Sequence, residues 1–377
     1  MTIYGVADIS AQGITSSQSK ANTGDGSVFA LQSNSSLLGF KGNEDLGNGL
    51  KAIFQAETGL DLLGNQQGNL ADSAASVSSP NGLFSSGLRD SFIGLNNKYG
   101  TVRAGYISTP FRSSLTSFAV EPGATGTMTI EKQMGALRFG YDNVQFQSSI
   151  RATAIAYAMP TLYGFDASIA YTGSNNNGTT NSTAVTGCTN AAVSACTVTP
   201  QSAFGFNLGW TGYGVNIKGA FQQANNTTTG QAYGDYTSYL VGAIYTGLPG
   251  LKASVVYNRN TLGTNNSVIT VSDGAGKLTN NQLYTGLSYR MGNWEPALSA
   301  TFNSDVNGAQ TQQLGSRQWQ ARVGYYLSKR TQAYGLISNL NNSANQNFTF
   351  GQQTSQMGAG ATGLNLFTYG MGMRTTF

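Results

Sequence analysis

The stretch Gln318–Leu327, QWQARVGYYL, carries the pattern that decides the architecture. Trp319, Ala321, Val323, Tyr325 and Leu327 fall on one side of an extended chain, and Gln318, Gln320, Arg322, Gly324 and Tyr326 on the other. Successive side chains of a strand point to opposite faces, so this is a ribbon with one apolar and one polar surface. The same alternation returns in Val215–Phe221 (VNIKGAF), where Val215, Ile217, Gly219 and Phe221 oppose Asn216, Lys218 and Ala220. It returns again in Phe367–Phe377, where Phe367, Tyr369, Met371, Met373, Thr375 and Phe377 alternate with Thr368, Gly370, Gly372, Arg374 and Thr376. Segments of about 8 to 11 residues of this kind, separated by Gly, Asn and Asp clusters, run through the chain.

A soluble β-sandwich would show the same alternation with its apolar face turned into a core. Two features favour a membrane barrel instead. Aromatic residues gather near strand ends, at Trp294, Phe302, Trp319, Tyr325 and Tyr326, as interfacial girdles require. The polar face is built from Gln, Asn, Ser, Thr and Gly with isolated charges, which suits a wet lumen. Composition agrees: charged residues make up 10% of the chain, with 49 Gly, 19 Tyr and 18 Phe. A soluble domain carries about 25% charged residues. The longest apolar candidate, Tyr239–Leu251, is interrupted by Gly242, Gly247 and Pro249 and falls short of the roughly 20 residues of a membrane helix. A chain that spans a bilayer without such helices must close its strands into a barrel, since only closure pairs every backbone N–H and C=O in lipid.

Length fits that closure. About 16 strands of about 10 residues leave roughly 217 of the 377 residues for connections. Short turns are expected at Asn43–Gly49, Asn96–Gly100, Gly247–Gly250, Met291–Asn293 and Ser328–Arg330. They alternate with long polar stretches at Thr58–Ser86, Thr172–Ser202, Gln222–Asp235, Asn258–Asn281, Asn303–Ser316 and Leu340–Gly358, read as extracellular loops. The last strand, Phe367–Phe377, is expected to pair with the first, Ile3–Ser10. The fold expected is all-β, one transmembrane antiparallel barrel over residues 1–377.

Other classes are excluded on chemistry. The chain has no His, and its only two Cys, Cys188 and Cys196, cannot complete a tetrahedral zinc shell. Neither a metal site nor a cofactor is expected. Within the polar Thr172–Ser202 stretch the cysteines are read as a local disulfide of an oxidising compartment. A net charge of +4, scattered along the chain, leaves no nucleic-acid footprint. With no His, no activated Cys and no clustered carboxylates, an enzyme is the poorest candidate. Because a strand-like segment follows Met1 at once, the numbering is read as starting at the mature protein with Met1 an addition.

Several segments resemble the general-porin family of β-proteobacteria, the trimeric porins of the Neisseria, Bordetella and Burkholderia type. Thr2–Asp8 (TIYGVAD) resembles that family's opening strand, and Leu38–Phe54 (LGFKGNEDLGNGLKAIF) its second strand, turn and third strand. Arg89–Leu95 with Gly100–Gly105, Pro160 with Gly164 and Phe165, Tyr326–Thr331 (YLSKRT) with Tyr334, and the terminal Phe377 extend the resemblance from end to end. It implies an outer-membrane homotrimer of barrels of about 16 strands in contact with lipid and lipopolysaccharide. It also implies a third loop, here Tyr106 to about Lys132, folded inward to narrow each pore.

Within that loop, Glu121 followed by Pro122 and Gly123 resembles the acidic tip of the constriction. The basic wall expected opposite is thinned. Leu37 and Tyr106 stand where the family has Arg, and Val6 where it often has a cation. Arg151, or else Arg138, matches the remaining wall arginine, with Phe139–Ile150 as an extra stretch between them, and Arg89 is also indicated by the resemblance. Strand phase alone puts Lys41, Arg322, Arg374 and Asp8 on the lumenal face, since Phe40, Val323, Met373 and Ile9 take the other. Phase and resemblance conflict at Tyr106, which alternation places outward with Val102 and Ala104; a bulge at Gly105 would bring it inward.

The function expected is passive diffusion of small hydrophilic solutes and ions, with at most a modest anion preference. One alternative is a substrate-specific channel in which Tyr106, Phe111 and Phe118 form a sliding surface for sugars or organic acids. Another, from a different class, is a non-channel adhesin that binds partners through its long loops.

Overall fold

The computed structural model describes residues 1–17, 26–63, 88–121, 130, 134–139, 144–173, 183–185, 196–198, 202–225, 233–264, 276–309, 312–350 and 362–377. In chain order the first elements are β1 (Thr2–Ser17), β2 (Gly26–Ser33), β3 (Leu37–Gly47), β4 (Leu50–Gly59), β5 (Ser91–Asn97), β6 (Gly100–Ser108) and helix α1 (Pro110–Thr116). Next come β7 (Ala136–Phe139), β8 (Val144–Gln147), β9 (Arg151–Ala158), β10 (Phe165–Thr172), β11 (Thr183–Val185), β12 (Cys196–Val198), β13 (Ser202–Gly212) and β14 (Val215–Asn225). The chain finishes with β15 (Tyr233–Tyr245), β16 (Leu251–Thr264), β17 (Lys277–Tyr289), β18 (Trp294–Asn303), β19 (Ser316–Tyr326), β20 (Thr331–Asn342) and β21 (Asn365–Thr376).

Every neighbouring pair of wall strands is antiparallel, and the ring closes where β1 pairs with β21, from Val6 opposite Thr376 to Ser17 opposite Asn365. β2 and β3 lie along the same side of β1 and form one wall strand broken at Asn34–Ser36, which gives a closed barrel of sixteen strands. The short hairpins β7–β8 and β11–β12 form two-stranded sheets of their own, not paired with the ring. No helix among the described residues is long and apolar enough to cross a membrane.

The alternation that defines each strand becomes an inside and an outside. On β19 Trp319 and Val323 are exposed while Gln318, Gln320 and Arg322 are buried, and on β13 Phe204, Phe206 and Leu208 are exposed beside buried Asn207. Apolar residues on the surface and amides within reverse the arrangement of a soluble protein, as lipid outside and a polar lumen inside demand. An outer aromatic belt forms from Phe204, Phe206, Phe221 and Tyr239 on adjoining strands, and Trp294 stacks edge-on against Tyr325 at 4.8 Å. Tyr326 corrects the girdle reading: it falls on the inner face, where its hydroxyl donates to Glu295 at 2.6 Å.

Two expected loops prove shorter than their composition suggests. β14 runs to Asn225, and β16 and β17 extend to Thr264 and back to Lys277, so much of Gln222–Asp235 and Asn258–Asn281 is wall. Strong polarity there reflects inward-facing amides rather than loop. Phe139–Ile150 supplies the second strand of the β7–β8 hairpin, which explains why it matches no wall strand.

Candidate pore constriction

The constriction begins at the end of β6. Thr109 caps α1 by accepting from the backbone N–H of Arg112 at 3.3 Å, with Pro110 at the first turn. One face of the helix is apolar: Phe111 and Leu115, with Phe118 beyond the helix end, pack on Ala220, Leu240, Ile244, Val256 and Tyr284 of the inner wall. Burying each large side chain contributes about 1.5–3 kcal/mol. Ser113, Thr116 and Ser117 make up the exposed face. The water-facing edge of this part of the loop therefore carries hydroxyls and no charge.

Glycines in the wall receive the loop. A Cβ on Gly242 of β15 would come within 2.7 Å of the Phe118 ring, and one on Gly286 of β17 within 2.7 Å of Val120. Gly242→Leu should overpack this contact at a cost of about 1–3 kcal/mol. A loop yields more readily than a hydrogen-bonded sheet, so the variant is expected to push α1 toward the lumen and lower single-channel conductance. An unchanged conductance in a folded variant would contradict this seating.

The return of the loop is held by amides that composition alone assigned to loops. Asn258 donates to Gln282 at 2.7 Å and Asn260 to Asn280 at 2.9 Å. Gln282 in turn accepts the Gly135 N–H at 2.8 Å, and Tyr236 donates to Asn260 at 2.9 Å and to the Gly135 carbonyl at 3.3 Å. The signal available in the sequence was the spacing of two between Asn258 and Asn260 and between Asn280 and Gln282.

The expected wall cations are present, and three carry acid partners. Arg89 pairs with Glu57 at 2.5 Å, Arg151 with Asp90 at 3.3 Å, and Arg374 with Asp8 at 3.4 Å. Asp8 also accepts from Tyr334 at 2.6 Å and from Asn34 at 3.2 Å, at the break between β2 and β3. Arg322 lies over the Tyr334 ring at 4.5 Å and donates to Gln332 at 2.5 Å. Lys41 sits over Tyr4 at 5.1 Å, and Arg103, on the opposite phase of β6 from Tyr106, over Phe92 at 5.3 Å. Glu57 and Asp90, the acids that balance the wall, were missed; they are far from Arg89 and Arg151 in neither space nor chemistry, but only the packing of the segment before β5 shows it. Leu37 pairs with Val6 at the same level of the wall, so apolar side chains do occupy positions where cations could stand.

Other residues depart from expectation. Pairing through Gly105 keeps one register on both sides, with Tyr106 opposite Ser91 and opposite Thr153. There is no bulge, and Tyr106 keeps the outward phase of Val102 and Ala104. Phe111 and Phe118 are fully buried against the wall, so no sliding surface forms from these three aromatics. Arg138 lies on β7, in a two-stranded sheet separate from the barrel wall, and its side chain is outside the described residues. Cys188 is outside them as well, as are residues 122–129 and 131–133 of the loop.

Glu121 reaches a different place from the one a free acidic tip would take. It is buried on the far wall, where Tyr284 of β17 donates to it at 3.2 Å, Gln320 of β19 at 3.3 Å, and the Ser299 hydroxyl of β18 also bonds it. Burial pushes this carboxyl above its ordinary range, opposed by the hydrogen bonds from Ser299, Tyr284 and Gln320. Counted around the ring, β18 stands seven strands from β9, so Glu121 and Arg151 lie on nearly opposite walls.

Comparison with known proteins bears on the fold and the family. The family model described as "Gram-negative porin" matches residues 1–345. The major outer membrane protein P.IB of Neisseria gonorrhoeae is 25% identical over 357 residues, covering 88% of this chain and 86% of that protein. The P.IB protein of Neisseria lactamica is 31% identical over 162 residues, 41% of this chain and 40% of that protein. Among solved structures, the anion-selective porin from Comamonas acidovorans superposes with a TM-score of 0.66 at 22% identity, covering 100% of this chain and 99% of that one. Salmonella typhi OmpF, solved in complex with daunomycin, superposes with a TM-score of 0.63 at 16% identity, covering 100% and 97%.

Proposed function

The chain belongs to the Gram-negative porin family, and from that premise we propose that its pore is a weakly charged, modestly anion-preferring eyelet repeated in a homotrimer. As a family member in the bacterial outer membrane, it is a water-filled channel for passive diffusion of small hydrophilic solutes and ions. What is proposed is the character of the constriction and the assembly.

The observation that carries the selectivity reading is the unequal treatment of charge. Arg89, Arg151 and Arg374 are each paired with a carboxylate, and Arg103 and Arg322 lie within reach of Asp90 and of Asp8 and Glu295, while the exposed Lys41 makes no ion pair among the described residues. Glu121 meanwhile leaves the water path. A small surplus of positive charge on the wall biases ion traffic toward anions without excluding cations. Zero-current potentials across a planar bilayer under a KCl gradient test this directly: a mild anion-side potential is expected, and strong selectivity of either sign would refute it. Arg151→Ala removes a cation and leaves Asp90, so it should lower the anion preference further.

For the trimer, the support is family membership and a solved neighbour, Vibrio cholerae OmpT, described in a trimer form at 11% identity. Native gels of detergent-extracted protein before and after heating should show three copies collapsing to one.

A further inference from the structure

Glu121 is a carboxylate held by three uncharged side chains. Tyr284, Gln320 and Ser299 come from three adjacent wall strands and converge on its two oxygens, and Gln320 also donates to Ser299 at 2.6 Å. No cation pairs with Glu121 among the described residues, and the group is 3% exposed. A carboxylate that turned into an aqueous lumen would be solvated at no cost, whereas burial without a counter-charge is unfavourable. The neighbouring Phe118 and Val120, seated against Gly242 and Gly286, supply the apolar contacts that draw the chain to the wall at this point.

We infer that Ser299, Gln320 and Tyr284 are selectivity-determining residues of the channel, because they withdraw the loop's acid from the ion path. This deepens the eyelet reading above and rests on it. The loop expected at residues 106–132 has two acids, Glu121 and Glu131, and the second lies outside the described residues. If Glu121 were free to face the lumen, it would set an acid opposite the basic wall and attract cations into the constriction. Held as it is, the exposed edge of the described part of the loop is the hydroxyl face Ser113, Thr116 and Ser117. Selectivity therefore depends on uncharged wall residues as well as on the wall cations. These are positioning residues: they act on ions only through Glu121.

The test is a cycle of zero-current potentials in a KCl gradient at low ionic strength, where screening is weakest. Ser299→Ala with Gln320→Ala removes two of the three donors and should release Glu121. One unit charge about 8 Å from the ion path in water changes each ion's occupancy about twofold. Because the effect is opposite for the two ions, the chloride-to-potassium permeability ratio should fall about fourfold. Adding Glu121→Gln to the double variant should restore the ratio seen with Glu121→Gln alone. The inference is overturned if the double variant leaves the ratio unchanged, or if it shifts the ratio equally whether residue 121 is Glu or Gln. Should the double variant not fold, Tyr284→Phe removes a different donor without changing volume and is judged by the same two outcomes. Absence of conductance in the unaltered protein would instead defeat the porin reading, so the two failures are distinguishable.

Discussion

Deleting the last strand, Asn365–Phe377, should abolish the folded protein altogether. β21 is bonded on both sides, to β1 from Val6 to Ser17 and to β20 from Thr331 to Asn341. The Phe377 backbone adds a reciprocal pair with Gly5 at 3.0 and 3.1 Å. Removing the strand opens two edges whose N–H and C=O groups would face hydrocarbon, each unsatisfied group costing several kcal/mol. No rearrangement of a soluble kind can rescue this, because water is absent from the bilayer core. The measurement is the heat-modifiable folded band on a denaturing gel, expected to be lost entirely. A shortened chain that still folds and inserts would mean that the ring closes in some other way.

Charge placed on either side of the wall should have opposite consequences. Leu298 is 58% exposed on β18, with Leu287 of β17 and Ala321 of β19 opposite it on the outer face. Leu298→Arg should destabilise the barrel by about 2–4 kcal/mol, the cost of arginine near the bilayer midplane. Gln55 stands on the inner face of β4, opposite Lys41 and Phe92. Gln55→Arg should leave stability nearly unchanged and raise the anion preference instead. Urea unfolding in lipid vesicles reads the first effect and zero-current potentials the second. Two equally destabilised variants, or two silent ones, would mean that the assignment of faces is wrong.

Much of this was legible in the sequence, because a strand's period of two needs no tertiary information. The split of Phe367–Phe377 into outward Tyr369, Met371 and Met373 and inward Thr368 and Arg374 follows from spacing alone, and burial in the structure repeats it. The inward positions of Asp8, Arg322 and Arg374 follow in the same way. Boundaries were harder. Asn258, Asn260 and Asn280 look like loop because polarity marks loops in soluble proteins, yet here polarity also marks the lumen. Partnerships were harder still: Arg89 with Glu57 and Arg151 with Asp90 depend on how the segment before β5 packs against strands far from it in the chain. Glu121 shows the limit most plainly. Its type and place in the loop suggested a charge facing water, and only the seats at Gly242 and Gly286, with donors from three strands, reveal that it faces the wall.

Single-channel recording of the purified, folded protein in a planar bilayer tests the central claim most directly. A barrel that is greasy outside and wet within should produce discrete, stepwise increases in current that scale with salt concentration. A sample shown to be folded and inserted that carries no ions would contradict it.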